Sequence, residues 1–293
     1  MSVSLVETLT RTHRSVPARE LCELVDLLRG KRCTVVAGAG CSTESGIPDY
    51  RGPTTLGRTR NPVQYRQFVD DAEWRKRYWA RAVVGWQHFV EARPNPTHDA
   101  LAALEAAGVA PYLITQNVDG LHQRAGQRAV VELHGSLHRV RCLDCGARVS
   151  RQSVQHALLE QNEFLMEAQA EIAPDGDAEL ASELIERFRV VGCPFCGGTL
   201  KPDVVYFGEN VPKERVERAF QWVDDAECLF VVGSSLTVFS GYRFALRAKE
   251  RGIPLAIVNL GPTRADHLAD LKLDGRLGLV LPVLVEALSR AES

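Results

Sequence analysis

Short aliphatic runs recur along this chain, and each ends in a glycine or polar turn: CTVVAGAG, PYLITQNVDG, VVELHGS, AECLFVVGSSL and PLAIVNLG. Amphipathic stretches separate them. ELCELVDLLRG (19–29) carries apolar residues at helical spacing and stops at a glycine. A second helical stretch is predicted from about 70 to 92, through EWRKRYWARAVVGWQHF, after a Ser, Thr, Gly and Pro-rich loop over 41–63. THDALAALEAAG predicts a helix with Thr97 as N-cap and Gly108 as its stop. Aliphatic runs without polar alternation are strands covered on both faces, and helices between them make the sheet parallel. The expected fold is therefore α/β, a Rossmann-like doubly wound parallel sheet, whose ligands bind beyond the carboxyl ends of the strands. The segment 139–203 breaks the pattern and reads as a smaller inserted module. The expected division is 19–52, 97–138 and 204–290 for the Rossmann-like domain, 53–96 for a loop and helical module, and 139–203 for a metal-binding module.

Composition adds little to the fold but narrows the function. The 293 residues are 45% hydrophobic and 25% charged, enough for a full core. A net charge of -2 and the lack of a dense Lys/Arg run argue against nucleic acid as a partner. No apolar run reaches the roughly 20 residues that span a bilayer, so no membrane association is expected. The N-terminus MSVSLVETLTRTHRS lacks the apolar core of a secretory signal, and Glu7 argues against an organellar presequence. A reducing, cytoplasmic location is the expectation.

Four of the eight cysteines fall as Cys142-x-x-Cys145 and Cys193-x-x-Cys196. Two close pairs of thiolates are what tetrahedral structural zinc requires, and the glycines after each pair suit the tight turns; two redox disulfides are the alternative. Cys33 and Cys228, in or beside aliphatic runs, read as buried inert thiols. The Gly38-Ala39-Gly40 turn after a strand allows close approach of a pyrophosphate, with Ser42 and exposed amides as donors. It lacks the full Gly-x-Gly-x-x-Gly spacing, so tight packing explains it equally well. His134 ends one strand while Asn117 and Asp119 end its neighbour, a plausible base with positioning groups. Gly233-Ser234-Ser235 and Asn259-Leu260-Gly261 follow strands too, as ligand contacts or as helix caps. His122 reads as structural.

Together GAGCSTESGIPDYRG, TQNVDGLHQRAG, ELHGS, CLDC with CPFC, LKPDVVYFGENVP, VVGSSLTV and IVNLGPT resemble the sirtuin family, in family order from residue 38 to about 263. IPDYRG, APDGD, SGYRFAL and GPTRADHLADLKLDGR look most like its class II, mitochondrial-type branch. Tyr206 replaces a common phenylalanine and Cys41 a usually aliphatic residue. The resemblance implies an NAD-dependent protein lysine deacylase that releases nicotinamide and O-acyl-ADP-ribose, with acyl-lysine proteins or peptides as partners. It implies His134 as general base with Asn117 beside it. NAD contacts would be Gly38, Ala39, Gly40, Ser42, Thr43, Glu44, Pro48, Asp49, Tyr50, Arg51, Gln116, Asn117, Asp119, Gly233, Ser234, Ser235, Asn259, Leu260, Gly261 and Leu277. The acylated peptide would add as a strand along Val205, Phe207, Gly208 and Val238. Tyr78 and Arg81, one helical turn apart, resemble the Tyr-x-x-Arg pair that holds an acyl carboxylate in one branch, and predict a preference for acidic or branched acyl groups. The bland reading of the pair is a charged helix face with a half-buried tyrosine. The competing functions are a protein ADP-ribosyltransferase using the same pocket, a silent NAD-binding or zinc-ribbon interaction module, and a dehydrogenase supported by the glycine turn alone.

Overall fold

The structure, a computed structural model, describes residues 17–49, 63–166 and 180–290. Six strands form the main sheet: β1 (Cys33–Ala37), β2 (Tyr112–Thr115), β3 (Val130–Glu132), β7 (Cys228–Val232), β8 (Leu255–Asn259) and β9 (Leu271–Asp274). Their order is β3-β2-β1-β7-β8-β9 and every pairing is parallel. The chain turns back across the sheet between β1 and β7, so the crevice beyond their carboxyl ends is the switch point of a doubly wound fold.

Side-chain alternation sorts the strand residues between two helical layers. Val35, Ala37, Phe230 and Val232 pack under α1 (Ala18–Leu28), α4 (Pro96–Ala106) and α10 (Leu277–Ser289), through Leu24, Leu101 and Leu284. Val36, Leu229, Val231 and Ile257 face α8 (Lys213–Asp224) and α9 (Phe239–Arg251), through Val223, Phe244 and Ala248. Burial on both faces is why these strands lack polar alternation. A short α5 (Leu121–Arg124) follows β2.

The helix predicted over about 70–92 is α3 (Ala72–Glu91), and a short α2 (Tyr65–Asp70), not predicted, precedes it. Asp71 separates them because its carboxylate accepts from the amides of Glu73 and Trp74, an N-cap that competes with helix continuation. The N-cap of α4 is Asn95 rather than Thr97. Its side chain accepts from Thr97 N, Pro96 occupies the first helical position, and His98 completes a capping box.

A second sheet, β5-β4-β6, is antiparallel: β4 (Gly135–Cys142) pairs with β5 (Arg148–Ser150) and β6 (Leu200–Val204). With α6 (Arg151–Gln161) and α7 (Ser182–Arg187) it shares one core with α2 and α3, joining Phe68, Trp79 and Val83 to Val140, Leu158, Phe188 and Leu200. Only Leu133 and His134 separate β3 of the large sheet from β4 of the small one. Gly135 makes that junction possible: its φ is +85°, and a Cβ there would lie 2.0 Å from Asp203 O.

Candidate active site

His134 therefore stands where one sheet passes into the other. Its Nδ1 lies 2.9 Å from Gln116 O and its Nε2 2.7 Å from Ser240 Oγ. A carbonyl oxygen only accepts, so Nδ1 carries the proton and donates to Gln116 O. Nε2 is then the acceptor, taking the Ser240 hydroxyl proton. Burial pushes the imidazole down to about 4, and the positive charges of Arg243 and Arg215 act in the same direction. At neutral pH this histidine is an unprotonated base aimed at α9.

The next residue after Gln116 begins a second network. Asn117 Nδ2 donates to Gly38 O and to Ser42 Oγ, both at 3.1 Å. Ser42 Oγ donates to Asp119 Oδ2 at 2.7 Å, and Leu121 N donates to Asp119 Oδ1 at 2.9 Å. Gln116 Nε2 donates to Ser234 Oγ at 2.6 Å, which ties the end of β2 to the turn after β7. Asp119 and Ser42 are buried, and they satisfy one another. Asn117 Oδ1 has no protein partner among the described residues and remains an acceptor for a bound molecule. The imidazole, the Asn/Asp pair and the glycine turn thus form one connected cluster.

The glycine turn shows the tight packing that was one of its two expected roles. The amides of Gly38, Gly40, Cys41 and Ser42 already donate to Val232 O, Gly233 O, Gly38 O and Ala39 O. A Cβ on Gly38 would lie 2.6 Å from Ser234 Cβ, and one on Gly40 would lie 3.0 Å from Gly233. These glycines let the turns after β1 and β7 meet. The polar groups in this cluster are side chains: Ser42, Gln116, Asn117, Asp119 and Ser234. Hydroxyls, amides and a carboxylate around a switch-point crevice suit a dinucleotide that carries a carboxamide and ribose hydroxyls.

The remaining expected residues spread around this centre. Thr43 Oγ1 donates to Gly40 O at 3.1 Å, while Glu44 points outward to Arg276 at 3.3 Å. Ala39, Pro48 and Asp49 are half-buried; Tyr50 and Arg51 lie outside the described residues. Leu277 is buried against Gly233. Ser235 Oγ pairs with Thr237 Oγ1 at 3.0 Å. Asn259 is buried, with Nδ2 donating to Leu260 O and Gly261 O at 3.1 Å, and Leu260 is exposed. Val205 N donates to His134 O at 2.8 Å, and Phe207 O accepts from Tyr65 N at 2.8 Å. Gly208 has a φ of +79°, and Val238 is the N-cap of α9. Tyr78 is buried among Phe68, Trp79 and Tyr206, with Arg81 half-buried one turn on.

Three residues of the site escaped the sequence reading. Ser240 meets His134 across 106 positions, so no local pattern marks it. His138 Nε2 donates to Asp119 O at 2.9 Å, its ring packed against those of both Trp86 and Phe89. Asn95 Nδ2 donates to Cys41 O and Ser45 Oγ, holding the turn after β1, and the Asn-Pro pair was the signal for it.

At the far end of β4, roughly 25 Å from His134 by strand rise, the four expected cysteines converge. The sulfurs of Cys142, Cys145, Cys193 and Cys196 all lie within 4.8 Å of one another. Cys142 and Cys196 are 3.6 Å apart, and Cys145 and Cys193 are 3.8 Å apart. A tetrahedron with Zn–S bonds of about 2.3 Å has edges of about 3.8 Å, so the cluster is compatible with structural zinc. All eight cysteines are free thiols, so the disulfide alternative is not formed.

Among the described residues no helix is long and apolar enough to cross a membrane. The Sir2 family model matches residues 38–240. An NAD-dependent protein deacetylase 1 of Mycobacterium avium is 51% identical over 280 residues, covering 94% of this chain and 98% of its own. The mitochondrial NAD-dependent protein lipoamidase sirtuin-4 of Bos taurus is 48% identical over 269 residues, covering 91% and 85%. A solved structure described as Sir2-p53 peptide-NAD+ superposes with a TM-score of 0.72 at 32% identity, covering 92% of this chain and 98% of that one. The chain belongs to the Sir2 family of NAD-dependent sirtuin enzymes.

Proposed function

We propose that this chain is a protein lysine deacylase whose acyl pocket favours acidic or branched groups over acetyl. The observation that carries the deacylase reading is a neutral His134, locked by Gln116 O, one residue from the Asn117–Ser42–Asp119 network. NAD, when bound, supplies an electrophilic ribose carbon, a leaving nicotinamide and the acceptor that becomes O-acyl-ADP-ribose. Asn117, Asp119 and Gln116 would hold the carboxamide and ribose hydroxyls. His134 Nε2, which accepts from Ser240 Oγ, would accept the proton of a ribose hydroxyl as it attacks the acyl carbon. Gln116 O, by accepting from Nδ1, fixes the tautomer and stabilises the imidazolium that results.

The acylated peptide would lie along Val205–Gly208 and Val238; Val205 N donates to His134 O, and Val238 caps the helix that carries Ser240. The mycobacterial relative is named a deacetylase and the bovine one a lipoamidase, so the acyl group is what varies among them. Here Tyr78 packs edge-on against Tyr206, the residue before Phe207, and Arg81 sits one turn further along α3. A guanidinium in that position suits a terminal carboxylate.

Steady-state kcat/KM for acetyl-, succinyl-, glutaryl- and hydroxymethylglutaryl-lysine peptides, read by nicotinamide release and product mass, tests both levels. Arg81→Met is expected to lower the acidic substrates about tenfold or more relative to acetyl, the value of one charge-assisted hydrogen bond. Equal loss on all four sinks the acyl preference. ADP-ribose retained on protein, with the acyl-lysine intact, replaces deacylation with ADP-ribosyl transfer.

A further inference from the structure

Arg243 stands out among the cations of α9. Arg247, one turn on, is bound by Asp224 at 2.7 and 3.0 Å and by Glu250 at 2.8 Å. Arg215, from the facing α8, pairs with Asp203 at 3.5 Å. Arg243 is half-buried, yet among the described residues no carboxylate and no hydrogen-bond acceptor meets it, and its Nε is sealed from solvent. Among the described residues its guanidinium lies over the ring of Phe239, with 5.4 Å between the guanidinium carbon and the ring centroid. Burial with no compensating anion lowers its pKa, although an arginine stays charged at any working pH. A half-buried cation without a counter-ion carries an unrecovered desolvation cost, which an incoming anion would offset.

Its location says which anion. Arg243 is three residues after Ser240, whose hydroxyl touches His134, so both lie on one face of α9. The guanidinium acts on the His134 imidazole electrostatically. Beside it Phe239 is 55% exposed, next to Val238 on the segment read above as the peptide border. From Arg243 a surface groove runs between α8 and α9, lined by Phe220, Leu246, Arg247 and Glu250. Arg247 and Glu250 neutralise each other there, which leaves Arg243 as its uncompensated charge.

We propose that Arg243 binds a carboxylate of the acyl-lysine substrate, supplied by an acidic side chain flanking the modified lysine, with Phe239 packing against the aliphatic part of that residue. The inference rests on the deacylase reading and adds sequence selectivity to it. A bidentate guanidinium–carboxylate contact fixes the peptide beside the base and discriminates against neutral flanks.

The test compares one acyl-lysine peptide carrying glutamate, glutamine or lysine at each flanking position, together with acetyl and succinyl forms on neutral flanks. Wild type, Arg243→Gln, Arg243→Lys and Arg243→Glu are measured by nicotinamide release. Wild type is expected to prefer one glutamate-flanked peptide over its glutamine form by about tenfold. Arg243→Gln erases that ratio, Arg243→Lys keeps part of it, and Arg243→Glu shifts preference to the lysine-flanked peptide. Equal loss on all peptides, an unchanged ratio, or an effect confined to the KM for NAD overturns the proposal. An effect that follows the succinyl group instead overturns the flanking assignment. Wild type inactive on every peptide would refute the deacylase reading itself, whereas an active wild type with an unchanged Arg243→Gln ratio refutes only this inference.

Discussion

His98 and His122 predict how the fold responds to acid. Their rings are 4.9 Å apart beneath Asp119, and neither is more than 1% exposed. Burial pushes each imidazole down to about 4, and for His98 the neighbouring His122 adds to that while Asp119 opposes it. Both are therefore neutral in the folded protein at pH 5, while in the unfolded chain both would be largely protonated. The unfolded state then binds more protons, so stability falls as pH drops below about 6.5 and the loss is complete below about 4. For His122 alone, moving from pH 7 to pH 5 removes about 2 kcal/mol, and His98 adds in the same direction. Asp224, Asp266 and Asp270, which are held below the ordinary carboxylate range, lose their contribution only at lower pH, so this window isolates histidine. Urea unfolding of wild type and His122→Gln at pH 7, 6 and 5 measures it. The variant is expected to be less stable at pH 7 yet flatter by about 2 kcal/mol or slightly more between pH 7 and 5, because His134 acts alike in both proteins and His98, relieved of His122, is depressed less. Parallel pH profiles for the two proteins would refute the reasoning.

Two further outcomes follow from the small sheet. Lys201 is 2% exposed, bonded to Glu209 at 2.9 Å and to Val204 O, with its charge 4.4 Å from the Tyr206 ring. Lys201→Met is expected to cost about 3–5 kcal/mol in thermal unfolding, and Lys201→Met with Glu209→Gln clearly less than the sum of the single changes; strict additivity would contradict a coupled pair. Purified protein is expected to carry one zinc per chain by elemental analysis. Chelation, or Cys193→Ser, should lower Tm and loosen the core of Val140, Leu158 and Leu200; zinc-free protein with unchanged Tm would contradict it.

What could be read from the chain was what local physics determines. Strands buried on both faces announce themselves as aliphatic runs, and the close spacing of each cysteine pair is a local signal for a shared ion. The start of α3 was legible to within two residues, because the Asp71 cap on the amides of Glu73 and Trp74 is local as well. The glycines at 38 and 40 left two readings open, pyrophosphate approach and tight packing, for a different reason. A glycine reports that something comes close, not what, and here the close neighbour is the turn at Gly233 and Ser234. The burial of Lys201 has no local signal, because nothing in LKPDV shows that Glu209 and two carbonyls will enclose it.

Ser240 shows where sequence reasoning stops, and why the site is nevertheless well defined. Three groups fix His134: Gln116 O at the end of β2, the Ser240 hydroxyl at the start of α9, and Val205 N after β6. They come from segments 18, 106 and about 70 residues away, and no helix or strand period relates them. They meet because β2 is adjacent to β3, because α9 packs over the face that Ile114 and Val131 share, and because β6 pairs with β4 at Gly135. The orientation of the base is thus inherited from strand order and helix packing. A histidine held in this way needs no rigid local loop, since loosening it requires separating one sheet from the other.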